Sequence, residues 1–228
     1  MICDNLKTIY RQIEEAAVRA GRDPQSVRLV AVSKRQGLER ILEALDCGQE
    51  LFGENYLQEA REKIEQLGDR GRFHFIGHLQ SNKARQAAEL FTMVETVDRL
   101  KIARALDRHA KALGRSLDIL LQVNVGREPQ KAGVLPENLE ELARDVATLP
   151  SLRLRGLMTM PPYTTDPEES RPFFRSLCQL ARELRDKDLF ADNSRVELSM
   201  GMSRDFPVAI EEGATLVRVG TAIFGPRP

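Results

Sequence analysis

Two hydrophobic patterns alternate along the chain. Short apolar runs rich in β-branched residues are separated by stretches whose apolar residues recur every three or four positions, predicting strands and helices in turn. Residues 4–20 place Leu6, Ile9, Ile13 and Ala17 on one helical face, behind the cap-capable pair Asp4-Asn5 and before Gly21 and Pro24. The first strand is Leu29-Val30-Ala31-Val32-Ser33-Lys34, an apolar run that ends abruptly in an amine. Leu38, Ile41, Leu42 and Leu45 then continue with helical spacing as far as Gly48. Further strands are expected at residues 50–52, 73–76, 93–97, 119–125, 154–159, 196–198 and 215–219, each followed by a helical or turn pattern. Thr165-Asp166-Pro167 marks one helix start, with proline at the tolerated first turn. A helix is expected over 136–149 and a short one over 206–212, the latter with Ser203 placed to cap it. Phe173, Phe174, Leu177, Leu180 and Leu184 read as core, and the charge-dense runs near Glu59–Lys63 and Arg182–Lys187 as solvated faces.

Uninterrupted alternation of strand and helix demands a mainly parallel sheet with right-handed crossovers. With about eight strands the expectation is an α/β fold, a single (β/α)8 TIM-type barrel with an extra N-terminal helix. No repeat, low-complexity tract or Ser/Gly linker divides the 228 residues, so one domain is expected over residues 1–228.

Composition narrows the function classes. Lys+Arg and Asp+Glu both number 34, so no bulk positive field is available for a phosphate backbone or an anionic bilayer. Nucleic acid and membrane are therefore excluded as partners at this level. Cys3, Cys47 and Cys178 are isolated and odd in number, which fits neither a disulfide framework nor a CxxC metal or redox site. They are read as ordinary thiols of a reducing cytosol, and no metal site is expected. Asp4, Lys7 and Arg11 interrupt the region where a signal peptide needs an apolar core, so the expected location is cytoplasmic.

In a parallel barrel, ligands sit at the carboxyl ends of the strands. Lys34, Asn55, His78, Asn124, Thr159, Ser199 and Gly220 each fall at or just beyond such an end. An amine there can form an imine with a carbonyl compound, although a lysine closing a strand is more often simply solvated. Barrels often build a phosphate site from the loops after strands seven and eight. Ser199-Met200-Gly201-Met202-Ser203 and Gly220-Thr221 supply hydroxyls, and glycines that let backbone amides approach an anion. Lysine and phosphate cradle in one mouth point to a phosphorylated carbonyl compound, of which pyridoxal 5′-phosphate is the commonest cofactor.

Seven strings carry a wider resemblance: Val30-Ala31-Val32-Ser33-Lys34, Gly53-Glu54-Asn55-Tyr56, His74 through Lys83, Gln122-Val123-Asn124, Gly156-Leu157-Met158-Thr159-Met160, Leu198 through Ser203, and Val217-Arg218-Val219-Gly220. They closely resemble the pyridoxal phosphate homeostasis protein family (the YggS/PROSC type), whose barrel is related to the alanine racemase N-terminal domain. The resemblance runs from the first helix to Phe224-Gly225. It implies that Lys34 is the Schiff-base lysine and that Ser199, Gly201, Ser203, Gly220 and Thr221 contact the phosphate. It further implies that Asn55 and His78 line the ring's surroundings and that Arg218 faces the pyridine nitrogen. A guanidinium stays protonated in proteins, so it would leave that nitrogen unprotonated and blunt the ring as an electron sink. For Arg218 the alternative is a strand-end arginine paired with a carboxylate. Three strings depart from the family pattern: Arg35-Gln36-Gly37 after the lysine, Pro161 after Thr159-Met160, and Gln130-Lys131-Ala132-Gly133.

The implied role is non-catalytic: intracellular buffering and delivery of pyridoxal phosphate, and with it amino and keto acid balance, with transient contacts to cofactor-accepting enzymes. The alternatives are a weak pyridoxal-phosphate-dependent amino-acid racemase, or a Schiff-base aldolase on a sugar phosphate. A two-base racemase needs an acid/base on each substrate face, and Lys34 covers one. The chain closes at Gly225-Pro226-Arg227-Pro228, without the β-rich domain through which racemases dimerise, so a monomer is expected.

Overall fold

The apolar runs become eight parallel strands, paired in sequence order and closed into a barrel. A computed structural model describes residues 1–225; Pro226, Arg227 and Pro228, the run expected to close the chain, lie outside the described residues. The order is α1 (Ile2–Arg19), β1 (Arg28–Val32), α2 (Leu38–Asp46), β2 (Leu51–Glu54), α3 (Leu57–Leu67), β3 (Arg72–Phe75), α4 (Ala84–Leu90), β4 (Met93–Val97) and α5 (Leu100–Ala112). It continues with β5 (Leu117–Gln122), α6 (Leu139–Ala147), β6 (Leu152–Met158), α7 (Arg171–Arg185), β7 (Glu197–Met202), α8 (Phe206–Glu211), β8 (Leu216–Val219) and a one-turn α9 (Thr221–Phe224). Leu29 pairs with Val217 and Ala31 with Val219, and this β1–β8 register shuts the ring. The expected (β/α)8 barrel with an additional N-terminal helix is therefore the observed architecture.

Strand alternation divides the apolar residues between two cores. Val30, Leu51, Met93, Leu120, Met158 and Leu216 point inward and form a separate cluster that plugs the barrel. Their sequence neighbours, such as Leu29, Ala31, Phe52 and Leu121, face the helix layer and join the larger outer core. Each fully buried side chain of this size contributes about 1.5–3 kcal/mol through removal of apolar surface from water. At one point the strands approach too closely for any side chain: a Cβ on Gly156 would lie 1.8 Å from the Glu197 carbonyl oxygen on β7. α1 buries Leu6, Ile9, Ile13 and Ala17, the face its spacing predicts, and packs against α2, α8 and α9. Among the described residues no helix is long and apolar enough to cross a membrane.

Four local expectations are corrected. β7 extends to Met202, so Ser199 and Gly201 lie inside a strand and not in a loop beyond it. Ser203 does not cap α8; Asp205 stands immediately before that helix, and its carboxylate reaches back to accept the Met202 N–H at 2.7 Å. The helix expected from Pro136 opens with a 3-10 turn, Pro136–Asn138, and is α-helical only from Leu139.

The fourth correction concerns the cysteines. Cys3 and Cys47 are joined in a disulfide, with Cα atoms 5.4 Å apart, while Cys178 remains a half-buried thiol. α1 begins beside the end of α2, an approach that the 44-residue separation conceals in the sequence. Closing a loop of that length stabilises the native state by about 2–4 kcal/mol, chiefly by restricting the unfolded chain. Reduction, or Cys3→Ser, is expected to lower unfolding stability by about that amount in urea titrations. A midpoint unchanged by reductant would show that the bridge does not stabilise the fold.

Candidate functional site

Lys34 stands two residues beyond the end of β1, half-buried, on a loop gripped from the outside of the barrel. Alternation turns Val30 inward and the Ser33 side chain outward, and Lys34 follows in the turn that the Gln36 N–H closes onto the Ser33 carbonyl at 3.1 Å. The Ser33 hydroxyl donates to the buried Glu54 carboxylate at 2.7 Å. The Lys63 ammonium, itself buried, donates to the Ser33 carbonyl at 2.7 Å, to Glu54 at 2.7 Å and to Glu59 at 2.6 Å. Glu59 also accepts the Arg35 N–H at 2.5 Å. Arg35 has φ +59°, a left-handed conformation unusual for a residue with a Cβ, and this bond fixes it there. The residues on both sides of Lys34 are thus tied to β2 and α3. Lys63 and Glu59 were read as part of a solvated charged face; they are instead the clamp on this loop.

Burial pushes the Glu54 carboxyl above the usual carboxylate range, against the pull of the Lys63 charge and the hydrogen bonds from Lys63 and Ser33; Glu59 adds to the rise. Its second oxygen is buried with no hydrogen-bond partner among the described residues.

The two loops expected to cradle an anion do meet. The Thr221 and Ser203 hydroxyls lie 3.4 Å apart, one beyond β8 and one beyond β7. Gly220 precedes Thr221 and abuts β1: a Cβ there would stand 3.3 Å from the Val32 carbonyl oxygen. That contact brings the loop after β8 beside the strand that leads to Lys34. Gly201 has φ +91°, and a Cβ on it would lie 2.6 Å from Ala209, so α8 can press against β7 only over a glycine.

Ser199 and Arg218 are placed differently from their neighbours in sequence. Both are buried inside the barrel, where Arg218 Nη1 donates to the Ser199 hydroxyl at 2.6 Å and Nη2 to the Thr159 carbonyl at 2.8 Å. Ser199 in turn donates to Glu95 at 2.5 Å, and His74 Nδ1 bonds the other Glu95 oxygen at 2.7 Å. Burial alone would raise the Glu95 pKa. The hydrogen bond and charge of His74, the charge of Arg218 and the Ser199 hydroxyl reverse that and hold it below the ordinary range. Burial draws the Arg218 pKa down, opposed by Glu95 and Asp205. The Ser199 hydroxyl is therefore engaged within the barrel, leaving Ser203 and Thr221 as the hydroxyls at the rim. Arg218 also has the carboxylate neighbour considered for it above, at one remove through Ser199.

Asn55 and His78, at the ends of β2 and β3, line a lateral cleft of about 660 Å³ together with Tyr56, Arg61 and Lys83. Asn124 and Thr159 secure neighbouring backbone: Asn124 exchanges hydrogen bonds with Glu128, and Thr159 donates to the Val123 carbonyl at 2.8 Å. Sequence reasoning missed Glu95, Glu54 and Lys63. Glu95 was detectable, because an acid in the middle of Met93-Val94-Glu95-Thr96-Val97 occupies an inward position of a strand with no solvated face.

The alanine racemase N-terminal domain model matches residues 5–228. Over 99% of its length the chain is 48% identical to the pyridoxal phosphate homeostasis protein of Pseudomonas aeruginosa and 43% identical to that of Aquifex aeolicus, covering 96% and 98% of those proteins. It is also similar to the structure of PipY from Synechococcus elongatus with PLP bound: TM-score 0.85, 38% identity, 99% of this chain and 100% of that one. An alanine racemase from Clostridium difficile shares the fold alone, at TM-score 0.72 and 16% identity, with this chain covering 56% of it.

The clamp makes a specific prediction. Lys63→Met leaves a buried carboxylate without its cation, at a cost of about 3–5 kcal/mol. A carboxyl whose folded pKa exceeds its unfolded value binds more protons when folded, so its stability contribution is present at low pH and is lost as pH rises through the folded pKa. Removing Lys63 raises that pKa further, so the deficit should widen from the ordinary carboxylate range upward. Urea titrations of both proteins between acid and neutral pH test this, and a pH-independent deficit would contradict it.

Proposed function

The chain belongs to the pyridoxal phosphate homeostasis protein family, and from that premise we propose that it holds pyridoxal 5′-phosphate as a Schiff base on Lys34, for buffering and delivery rather than turnover. When bound, the cofactor supplies an aldehyde that condenses with a lysine amine with loss of water, and a conjugated ring that absorbs visible light. One observation carries the reading: Gly220 packs against Val32, which brings the loop bearing Thr221, and with it Ser203 from the loop after β7, beside the loop bearing Lys34. An amine and an anion cradle then share one rim, as a phosphorylated aldehyde requires.

Each residue has a separable task. Lys34 presents the amine from a backbone that Ser33 and Arg35 hold still on either side. Ser203 and Thr221 offer hydroxyls to the phosphate, and Gly220 offers unobstructed backbone. Arg218 stands deeper in the barrel, its direction set by Ser199 and the Thr159 carbonyl. It can donate a hydrogen bond to a ring nitrogen but cannot supply the proton that makes the ring a strong electron sink. This permanent charge favours retention over catalysis. Asn55 and His78, at the edge of the lateral cleft, would border the ring from the β2–β3 side.

The purified protein is expected to be yellow and to keep its colour through desalting. Lys34→Ala should lose the visible band, and borohydride reduction followed by peptide mass analysis should find the pyridoxyl group on Lys34. A label on another residue, or none, would overturn the assignment; so would alanine or serine racemisation abolished by Lys34→Ala, which would make the protein an enzyme. Ser203→Ala combined with Thr221→Ala is expected to weaken cofactor retention by about tenfold or more while leaving thermal unfolding unchanged. Unaltered affinity in equilibrium dialysis would remove both hydroxyls from the cradle.

A further inference from the structure

We propose that the lateral cleft between α3 and α4 is a second binding site, for a small oxyanion-bearing molecule, and that its occupancy is transmitted to the Lys34 loop. The binding half of this inference stands without the cofactor; the transmission half rests on the reading of Lys34 given above.

The cleft lies outside the barrel wall. Phe75, in its lining, follows the inward-pointing His74 and so faces the helix layer; Asn55 and His78, assigned above to the border of the cofactor ring, also line the cleft, and neither member of the rim hydroxyl pair does. A volume of about 660 Å³ suits a small molecule. Its lining is rich in donors and has no carboxylate. Arg61 from α3 and Lys83 before α4 bring two positive charges, and Gln58, Gln80 and Gln86 bring carboxamides. Among the described residues the side chains of Lys83 and these three glutamines have no hydrogen-bond or ion-pair partner. Arg61 has only a 3.5 Å approach from Glu89, which stands outside the cleft. Two cations facing one concavity repel each other, and an oxyanion between them relieves that repulsion while accepting charge-assisted hydrogen bonds. The planar guanidinium suits phosphate or carboxylate, which is the recognition chemistry assigned here.

The same turn of α3 serves both sites. Gln58 and Arg61 face the cleft, and Glu59 between them accepts the Arg35 N–H and the Lys63 ammonium. Tyr56 lines the cleft, and the Arg35 guanidinium stands 5.9 Å from the centre of its ring. A ligand that draws Arg61 toward itself therefore acts on the helix turn and the aromatic ring that steady Arg35 directly, and on Ser33 through the Glu59–Lys63 pair.

Equilibrium dialysis of radiolabelled inorganic phosphate against the cofactor-loaded protein, whose rim cradle is already filled, tests the binding half. One equivalent is expected to bind, and Arg61→Gln with Lys83→Gln should weaken it by at least about tenfold. Displacement by glutarate at constant ionic strength identifies a general oxyanion site; phosphate retained against glutarate identifies a phosphate-selective one. No binding by the native protein, or equal binding by the double variant, overturns the proposal. Should the double variant fail to fold, Lys83→Gln alone, at an exposed position, carries the same comparison. For transmission, the rate at which the visible band decays into a cofactor scavenger should change at least about twofold on saturation with phosphate, in native but not in double-variant protein. A native rate insensitive to phosphate overturns that half. If the protein does not load with cofactor at all, dialysis on Lys34→Ala still reads the cleft, as the part of phosphate binding removed by the Arg61 and Lys83 substitutions.

Discussion

Arg218 is buried inside a barrel that an apolar cluster plugs, and a cation in that position has lost several kcal/mol of hydration. The sequence answers it with Glu95, also fully enclosed, and with the Thr159 carbonyl and the Ser199 hydroxyl as intermediaries. His74 takes up the remaining carboxylate oxygen. These groups come from β3, β4, the end of β6, β7 and β8, so one polar belt spans most of the ring's circumference. Any slip in strand register would leave at least one of these charges unpaired, which is far more costly than the loss of an apolar contact. The belt thus sets the level at which the barrel's apolar filling ends and its polar mouth begins.

Above that level the other constraint operates from outside the wall. Ser33, the last residue still bonded to β2 through the Gly53 carbonyl, is fixed in the helix layer, and Lys34 lies in the turn that follows. Glu54 and Lys63 do the fixing, and the left-handed Arg35 completes it through Glu59. Lys34 is therefore presented by two anchored neighbours, with the belt beneath it. A reactive amine gains from this arrangement, because its own flexible stem is then the main freedom to be lost when it engages a ligand.

Much of this was legible. Eight strands, the helices between them and the buried face of α1 followed from hydrophobic period alone, since a barrel strand buried on both faces cannot tolerate a polar run. The meeting of the β7 and β8 loops followed from the rule that ligands gather at strand carboxyl ends. Elsewhere the reading failed for identifiable reasons. The run Glu59–Lys63 has the charge density of a solvated helix face, and nothing in its spacing discloses that Lys63 points at a carboxylate on β2. The Cys3–Cys47 pair depends on how α1 and α2 lie side by side, which local pattern does not carry. Ser203 and Asp205 are both competent caps, and a difference of two positions placed Asp205 at the helix. Asn55 and His78 belong to strands whose ends open sideways toward α3 and α4 as well as upward, so a place on the rim underspecified their surroundings.

The balance between holding a cofactor and working with it then becomes a question of where protons can reside. A carboxylate at the ring nitrogen of such a cofactor shares a proton and deepens the ring as an electron sink, whereas an arginine leaves that nitrogen unprotonated. In the belt both oxygens of Glu95 are taken up, by Ser199 and by His74, and Arg218 is joined to that carboxylate through Ser199. With Glu95 held ionised by His74 and Arg218, the charge that stabilises the guanidinium also forbids it from giving up a proton. The interaction that keeps the barrel in register is the same one that keeps the guanidinium charged and fixed in direction.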